Sequence, residues 1–223
     1  LFGIDSVSAV EAPKGDGFYA RIESQHEILA GFDDTNWIPG GAYRLPVKAG
    51  GPLVLSVVPA HAAYPPEMAY WPVDRTDEPA VVTRDNGKSR LAYFSGDLER
   101  AAWRSGHTDL FRLMRNSIAW LLNGRQSVTV EGEGVVECFA WETKPGFAVH
   151  LLNYTNPNMH RGWLRRHYPI GLQKVRMTLP SGRTVTRVEL LRSEKDIPFR
   201  QDGNSVEFTI PSVSDYEVAA LHA

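Results

Sequence analysis

Cysteine is nearly absent from this chain: one residue, Cys138, in 223, so no disulfide can close within it and the redox compartment stays open. No apolar run approaches the roughly 18 residues that span a bilayer. A formal net charge of −2 gives no global pull towards nucleic acid or an acidic membrane. Neither partner is expected, and a soluble chain, cytoplasmic rather than secreted, is the corresponding expectation. The seven histidines include no close-spaced pair on a shared helix and no cysteine partner, so zinc is unsupported and no metal or cofactor is expected. Cys138 lies in an alternating Val-Val-Glu-Cys-Phe-Ala-Trp stretch, without the strand–turn–helix elbow and histidine partner of a nucleophile, and reads as a core or strand-surface thiol. Repeats and low-complexity segments are missing too. The opening Leu1-Phe2-Gly3-Ile4 has neither Met nor a basic n-region, nor a signal-type apolar core, and suggests a piece of something longer.

Helical periodicity is also scarce, which makes its one clear occurrence informative. From Leu110 to Leu122, apolar residues (Leu110, Phe111, Met114, Ile118, Leu121, Leu122) recur at three-to-four spacing. Thr108 offers a cap, Asp109 suits the positive first turn, and Asn123-Gly124 is a stop. A β-prone run, Arg90–Ser95, precedes the helix after an Asp85-Asn86-Gly87 turn, pairing with Ala80–Thr83 as a hairpin. The intervening Asp97, Glu99, Arg100, Arg104 and His107 read as a polar loop. Upstream, Gly17–Glu23 and Ala42–Val47 alternate like strands, Phe32–Tyr43 reads as loop, and Pro52–Val58 as a strand buried on both faces. Pro59–Pro72, with four prolines and several aromatic rings, is expected to be an ordered non-helical loop.

Beyond Arg125 the period becomes two. Seven strands are predicted: Ser127–Val130, Val135–Trp141, Phe147–Leu152, Gln173–Leu179, Val185–Leu191, Val206–Ile210 and Tyr216–Leu221. Glycine-containing turns separate many of them, which indicates an antiparallel β-sandwich interrupted by a long loop, Asn153–Gly171. The expected organisation is mixed α/β plus all-β. Residues 1–125 would form the last part of a doubly wound α/β domain, incomplete at its N-terminus, and residues 126–223 the sandwich.

The stretch GKSRLAYFSGDLERAAWRSGHTDLFRLMRNSIAWLLNG resembles the end of the amidotransferase-like (flavodoxin-like) domain that follows the catalytic barrel in β-galactosidase-type glycoside hydrolases, often called the trimerisation domain. HLLNYTNPNMHRGWLRRHYPIGLQKVRMTLP, with a last strand around DYEVAAL, is similar to the C-terminal β-sandwich of bacterial glycosidases and α-fucosidases built the same way, and the opening LFGI fits the same pattern. The resemblance implies a catalytic (β/α)8 barrel upstream in the same polypeptide, carrying the carboxylate pair. It assigns this chain no catalytic residue. The role it implies is structural: bracing the barrel, presenting loops to its rim and building a homo-oligomer.

Two stretches carry the candidate contacts. In the Asn153–Gly171 loop, His160, Arg161, Trp163, Arg165, Arg166, His167 and Tyr168 supply flat rings and forked donors. These suit sugar hydroxyls and C–H faces, but they are also the residue types that protein interfaces enrich, and the interface is favoured. A free-standing carbohydrate-binding module using this loop is the alternative function. In the second stretch His61, Glu67 and Trp71, with Tyr64 and Tyr70, form a rim or interface candidate, against the plainer reading of a loop packed over a sheet edge. Asp97 and Glu99 are expected to pair with Arg100 and Arg104 or to cap backbone, not to act as acid and base. The Asn153-Tyr154-Thr155 sequon carries little weight.

Overall fold

The structure is a computed structural model that describes residues 4–12, 17–62, 64–71, 73–156 and 166–223. It divides into two compact units, Leu1–Gly124 and Arg125–Ala223.

In the first unit the strands are β1 (Ser6–Val7), β2 (Phe18–Ile22), β3 (Trp37–Gly41), β4 (Val47–Lys48), β5 (Leu55–Val58), β6 (Pro79–Asp85) and β7 (Arg90–Phe94), followed by α1 (Leu98–Ser105) and α2 (Thr108–Leu122). Five of them form a sheet in the order β3-β2-β5-β6-β7, and β1 pairs with β4 alone. Every pairing in that sheet is antiparallel, whereas a doubly wound layer is built of parallel strands. Along β2, Phe18 and Ala20 turn into the core and Ile22 packs against it, where they meet Ile38, Leu55 and Val57 of neighbouring strands and Leu98, Leu110, Leu113 and Trp120 of the helices. The helices thus cover one face of the sheet.

Four local expectations change. Trp37–Gly41 is an edge strand within the predicted Phe32–Tyr43 loop. Its Pro and Gly residues signal a turn when read alone, but Pro39 sits on an edge, where a missing N–H is tolerated. Gly40 is the floor on which the Phe18 ring lies, and a methyl group there would fall 2.2 Å from that ring. The predicted Ala42–Val47 strand is reduced to bridges of Arg44 with Glu11 and Gly96 and the short β4. The polar segment after Gly96 is the helix α1: Leu98 and Ala102 bury on one side, and Gly106 ends it in the left-handed region. Charged residues on the outer face mask that short stripe. The cap of α2 is also shifted by one residue, because His107 Nδ1 accepts the Asp109 N–H at 3.3 Å and Thr108 is already helical. The stop at Asn123-Gly124 is as predicted, with both residues at positive φ.

The second unit contains β8 (Val128–Gly132), β9 (Val136–Thr143), β10 (Gly146–Asn153), β11 (Gln173–Thr178), β12 (Arg187–Leu190), β13 (Lys195–Ile197), β14 (Phe199–Asp202), β15 (Ser205–Ile210) and β16 (Tyr216–His222). They make two antiparallel sheets, β13-β12-β16-β10-β9 and β14-β15-β11-β8. Val149, Leu151, Val188 and Leu221 from one sheet close on Val175, Met177, Val206, Phe208 and Ile210 from the other. All seven predicted strands are present. The short β13 and β14, separated by Pro198, are polar edge strands with too little apolar alternation to be read in advance. Cys138 is half-buried on β9, and burial pushes its thiol up to about 11, so it is held protonated and unreactive. No described helix is long and apolar enough to cross a membrane.

A methyl at Gly96 would lie 2.0 Å from the Gly40 carbonyl oxygen, a backbone atom that cannot swing aside. Gly96→Ala is therefore expected to destabilise the first unit by about 2–3 kcal/mol through overpacking, seen as a lower chemical-denaturation midpoint. A second expectation concerns pH. His26 Nδ1 accepts the Ile28 N–H at 3.2 Å, and its ring meets Trp120 edge-on with centroids 4.9 Å apart. Burial, opposed by Glu27 and aided by Arg90, holds this imidazole below its ordinary value of 6.5. The unfolded state then binds the extra proton, so this contribution is full above about pH 6.5 and is lost as pH falls towards the folded value. Denaturation midpoints measured across that window should fall with acidification, and His26→Asn, which keeps a capping acceptor, should flatten the slope.

Candidate functional site

Alternation along β2 and β3 sends one set of side chains to the face opposite the helices. Tyr19 and Arg21 of β2 lie there with Trp37 of β3 and Ser56 and Val58 of β5, all in register as cross-strand neighbours or one pair removed. The chain leaving β5 folds back over this face. Thr76 Oγ1 donates to the Val57 carbonyl, Arg21 Nη1 meets Asp74 at 3.1 Å, and Arg75 meets Glu23 at 3.4 Å. Glu23 also accepts the Ser56 hydroxyl at 2.6 Å. These anchors deliver Trp71 to the sheet, where its ring lies 5.3 Å from Trp37 and 5.8 Å from Tyr19, edge-on or tilted, with His61 4.9 Å away on it. Tyr19 and Trp37 complete the group at 6.1 Å.

The cluster remains open to solvent: Trp71 is 45% exposed, and Tyr70 and Tyr64 in the same loop are 63% and 81% exposed. Glu67 lies exposed in a 3-10 turn, Pro66–Met68, within a loop predicted to be non-helical. Of the sequence candidates, the structure therefore brings His61 and Trp71 together and leaves Glu67 apart from any described partner. Sequence reasoning missed Tyr19 and Trp37. The signal was available, since each is a large aromatic alternating with an inward apolar residue, Tyr19 between Phe18 and Ala20 and Trp37 beside Ile38.

The Asn153–Gly171 loop is described only at its ends. His160, Arg161, Trp163 and Arg165 lie outside the described residues. Asn153 is buried, its Nδ2 directed at the carbonyls of Tyr168 at 2.7 Å, Ser214 at 2.7 Å and Val213 at 3.1 Å, while its Oδ1 accepts the Thr155 N–H at 2.9 Å. It ties the two ends of the loop to the sandwich. Arg166 lies over the Tyr168 ring at 5.4 Å, and His167 stands near Asp215. Burial acts against ionisation of the Asp215 carboxyl, but backbone N–H groups, Arg192 and His167 outweigh it and hold the carboxyl below its usual range.

The carboxylates nearest a strand end do structural work. Asp97 Oδ1 accepts the N–H groups of Ala42 at 2.7 Å and Tyr43 at 3.0 Å, and Oδ2 accepts Arg100 at 2.9 Å. Every oxygen is committed to holding α1 to the end of β3. Glu99 lies in the first turn of α1, where a carboxylate suits the helix dipole. Among the described residues no group of three or more His, Cys, Asp or Glu is gathered for a metal. What the aromatic cluster offers is contact: flat apolar faces with a rim of Arg, Asp and His.

No family model matches the sequence, and no curated protein matches it. Solved structures do match the fold. An α-L-fucosidase isoenzyme 2 from Paenibacillus thiaminolyticus superposes with a TM-score of 0.66 at 13% identity, over 99% of this chain and 32% of its own. A catalytic mutant of Gan42B, a GH42 β-galactosidase from G. stearothermophilus, gives 0.51 at 14% identity over 100% of this chain and 24% of its own. A second Gan42B structure gives 0.52, with the same identity and coverage. The chain thus has the fold of a part of these glycoside hydrolases and spans 24–32% of their length.

If Asp97 is a structural tie, Asp97→Ala should cost the first unit about 2 kcal/mol, the range for losing charge-assisted hydrogen bonds. Glu99→Ala should stay within about 0.5 kcal/mol, as surface changes do. Urea denaturation of the two variants separates these outcomes.

Proposed function

We propose that this chain is a non-catalytic structural region of a glycoside hydrolase, acting in carbohydrate metabolism with its catalytic (β/α)8 barrel elsewhere in the same polypeptide. The observation that carries this reading is the fold match, which takes in 99–100% of this chain but only 32% and 24% of the two hydrolases. The first unit would correspond to an amidotransferase-like, trimerisation-type domain and the second to the C-terminal sandwich. The first unit's sheet is antiparallel throughout, so what supports this correspondence is the fold match and not a doubly wound parallel layer.

The surface supports an assembly role. Around the aromatic cluster, Tyr64, Met68, Tyr70, Trp71 and Val73 are all exposed, a concentration of aromatic and Met residues that interfaces enrich and free surfaces avoid. On the helical side Phe111, Ile118 and Leu122 form an exposed apolar stripe along α2, with Trp103 on α1. Partners for these surfaces would be the barrel and further copies of the polypeptide. Substituting Trp71 and Tyr70 by Ser in the assembled enzyme is expected to lower the oligomer's mass in light scattering, since buried aromatic anchors at an interface each contribute about 2 kcal/mol or more. The rate per barrel on a small aryl glycoside would be retained. An unchanged oligomer would remove this loop from the interface, and no loss of assembly or heat stability on deleting the whole region would overturn the structural role.

A further inference from the structure

The outer face of the sheet β14-β15-β11-β8 carries a hollow that the structural role does not require. Its cross-strand register lines up polar side chains in two rows. Thr129, Arg176, Glu207 and Arg200 stand opposite one another across β8, β11, β15 and β14, and in the next row Glu131, Lys174 and Thr209 do the same across three strands. With neighbouring strands about 4.8 Å apart, the first row spans about 14 Å. Pro198 stands at one wall of the hollow, and the open volume is about 480 Å³, within the usual range for small-molecule sites. Arg176 is paired with Glu207 at 2.8 Å. Lys174 and Arg200 make no ion pair or side-chain hydrogen bond among the described residues, and neither does Glu131.

We infer that this hollow is a binding groove for an uncharged saccharide. Donors and acceptors of both charges alternate along it, so a polyanion would meet Glu131 and Glu207, and a polycation would meet Lys174, Arg176 and Arg200. A hydroxyl is at once donor and acceptor and satisfies both kinds of group. The Pro198 ring gives the C–H face of a sugar ring an apolar surface beside the polar floor, while the Phe199 ring, opposite Phe208, packs on the sandwich core. With no aromatic ring on its floor and open sides, the groove binds at millimolar strength, as an accessory contact that raises the local concentration of a chain whose cleavage occurs elsewhere. The choice of ligand class rests on the glycoside-hydrolase reading; the location rests on the register and the hollow alone.

The test is an amide NMR titration of the 223-residue chain with lactose, cellotetraose and dextran sulfate, to about 10 mM sugar. A saturable shift with a neutral sugar, centred on β8, β11, β14 and β15, is expected. Lys174→Ala with Arg200→Ala should weaken it about fivefold or more while leaving the unfolding midpoint in place, since both side chains are exposed. No saturable shift with either neutral sugar, a response to dextran sulfate alone, or shifts confined to the Trp71 cluster would each overturn the groove. None of these results bears on assembly, which the Trp71 and Tyr70 variants test separately.

Discussion

The Phe18 ring resting on the backbone of Gly40 and Gly96 is the contact that the first unit depends on. It brings the edge strand β3 and the turn after β7 within van der Waals reach of one another, at two positions where any side chain would collide. Asp97 then fastens the same corner, accepting two N–H groups from the end of β3 while opening α1. Once that corner is closed, the helices can lie only on the face that receives Phe18, Ala20 and Ile38. The other face is left to the chain leaving β5. The aromatic cluster follows from this partition: the side chains alternating with the core residues of β2 and β3, Tyr19 and Trp37, are the platform on which Trp71 lands.

The sandwich is organised differently. Its core comes from strict alternation in long strands, with β11 and β15 reading buried–exposed through their whole length. Buried polar groups secure its margins. Asn153 ties the loop ends, and the buried Glu217 carboxylate accepts the N–H groups of Arg192 and Val218 at 2.9 Å and the Ser193 hydroxyl at 2.8 Å. Removing either side chain would strand polar groups that have no water to turn to. The polar outer faces are thus free of any structural task in the core, and this is where a binding groove can be carried without cost to the fold.

How much was legible in the sequence depended on which interactions decided each element. Long strands with clean alternation and the amphipathic α2 are fixed by their own side chains, and all were readable. The edge strand Trp37–Gly41 was not, because Gly40 serves the distant Phe18 ring and Gly41 the Asp97 carboxylate, tertiary contacts that local turn signals contradict. The helix α1 was hidden for a related reason: only Leu98, Ala101 and Ala102 mark its inner side, while Glu99, Arg100 and Arg104 dominate the string. The parallel layer expected for the first unit was inferred from one strand–loop–helix run, and strand direction leaves little local trace. At the candidate site, His61 and Trp71 were readable as unusual loop residues. Tyr19 and Trp37 belonged to strands, and only the fold shows that all four meet.

The reading of the chain as an enzyme's scaffold turns on what the polypeptide carries besides these two units. The most direct measurement is the reading frame that leads into the Leu1 codon. The account predicts several hundred residues of repeating strand and helix, with carboxylates at two strand ends placed to act on a glycosidic bond. A frame that opens immediately before Leu1, with the two units expressed as the whole protein, would contradict it.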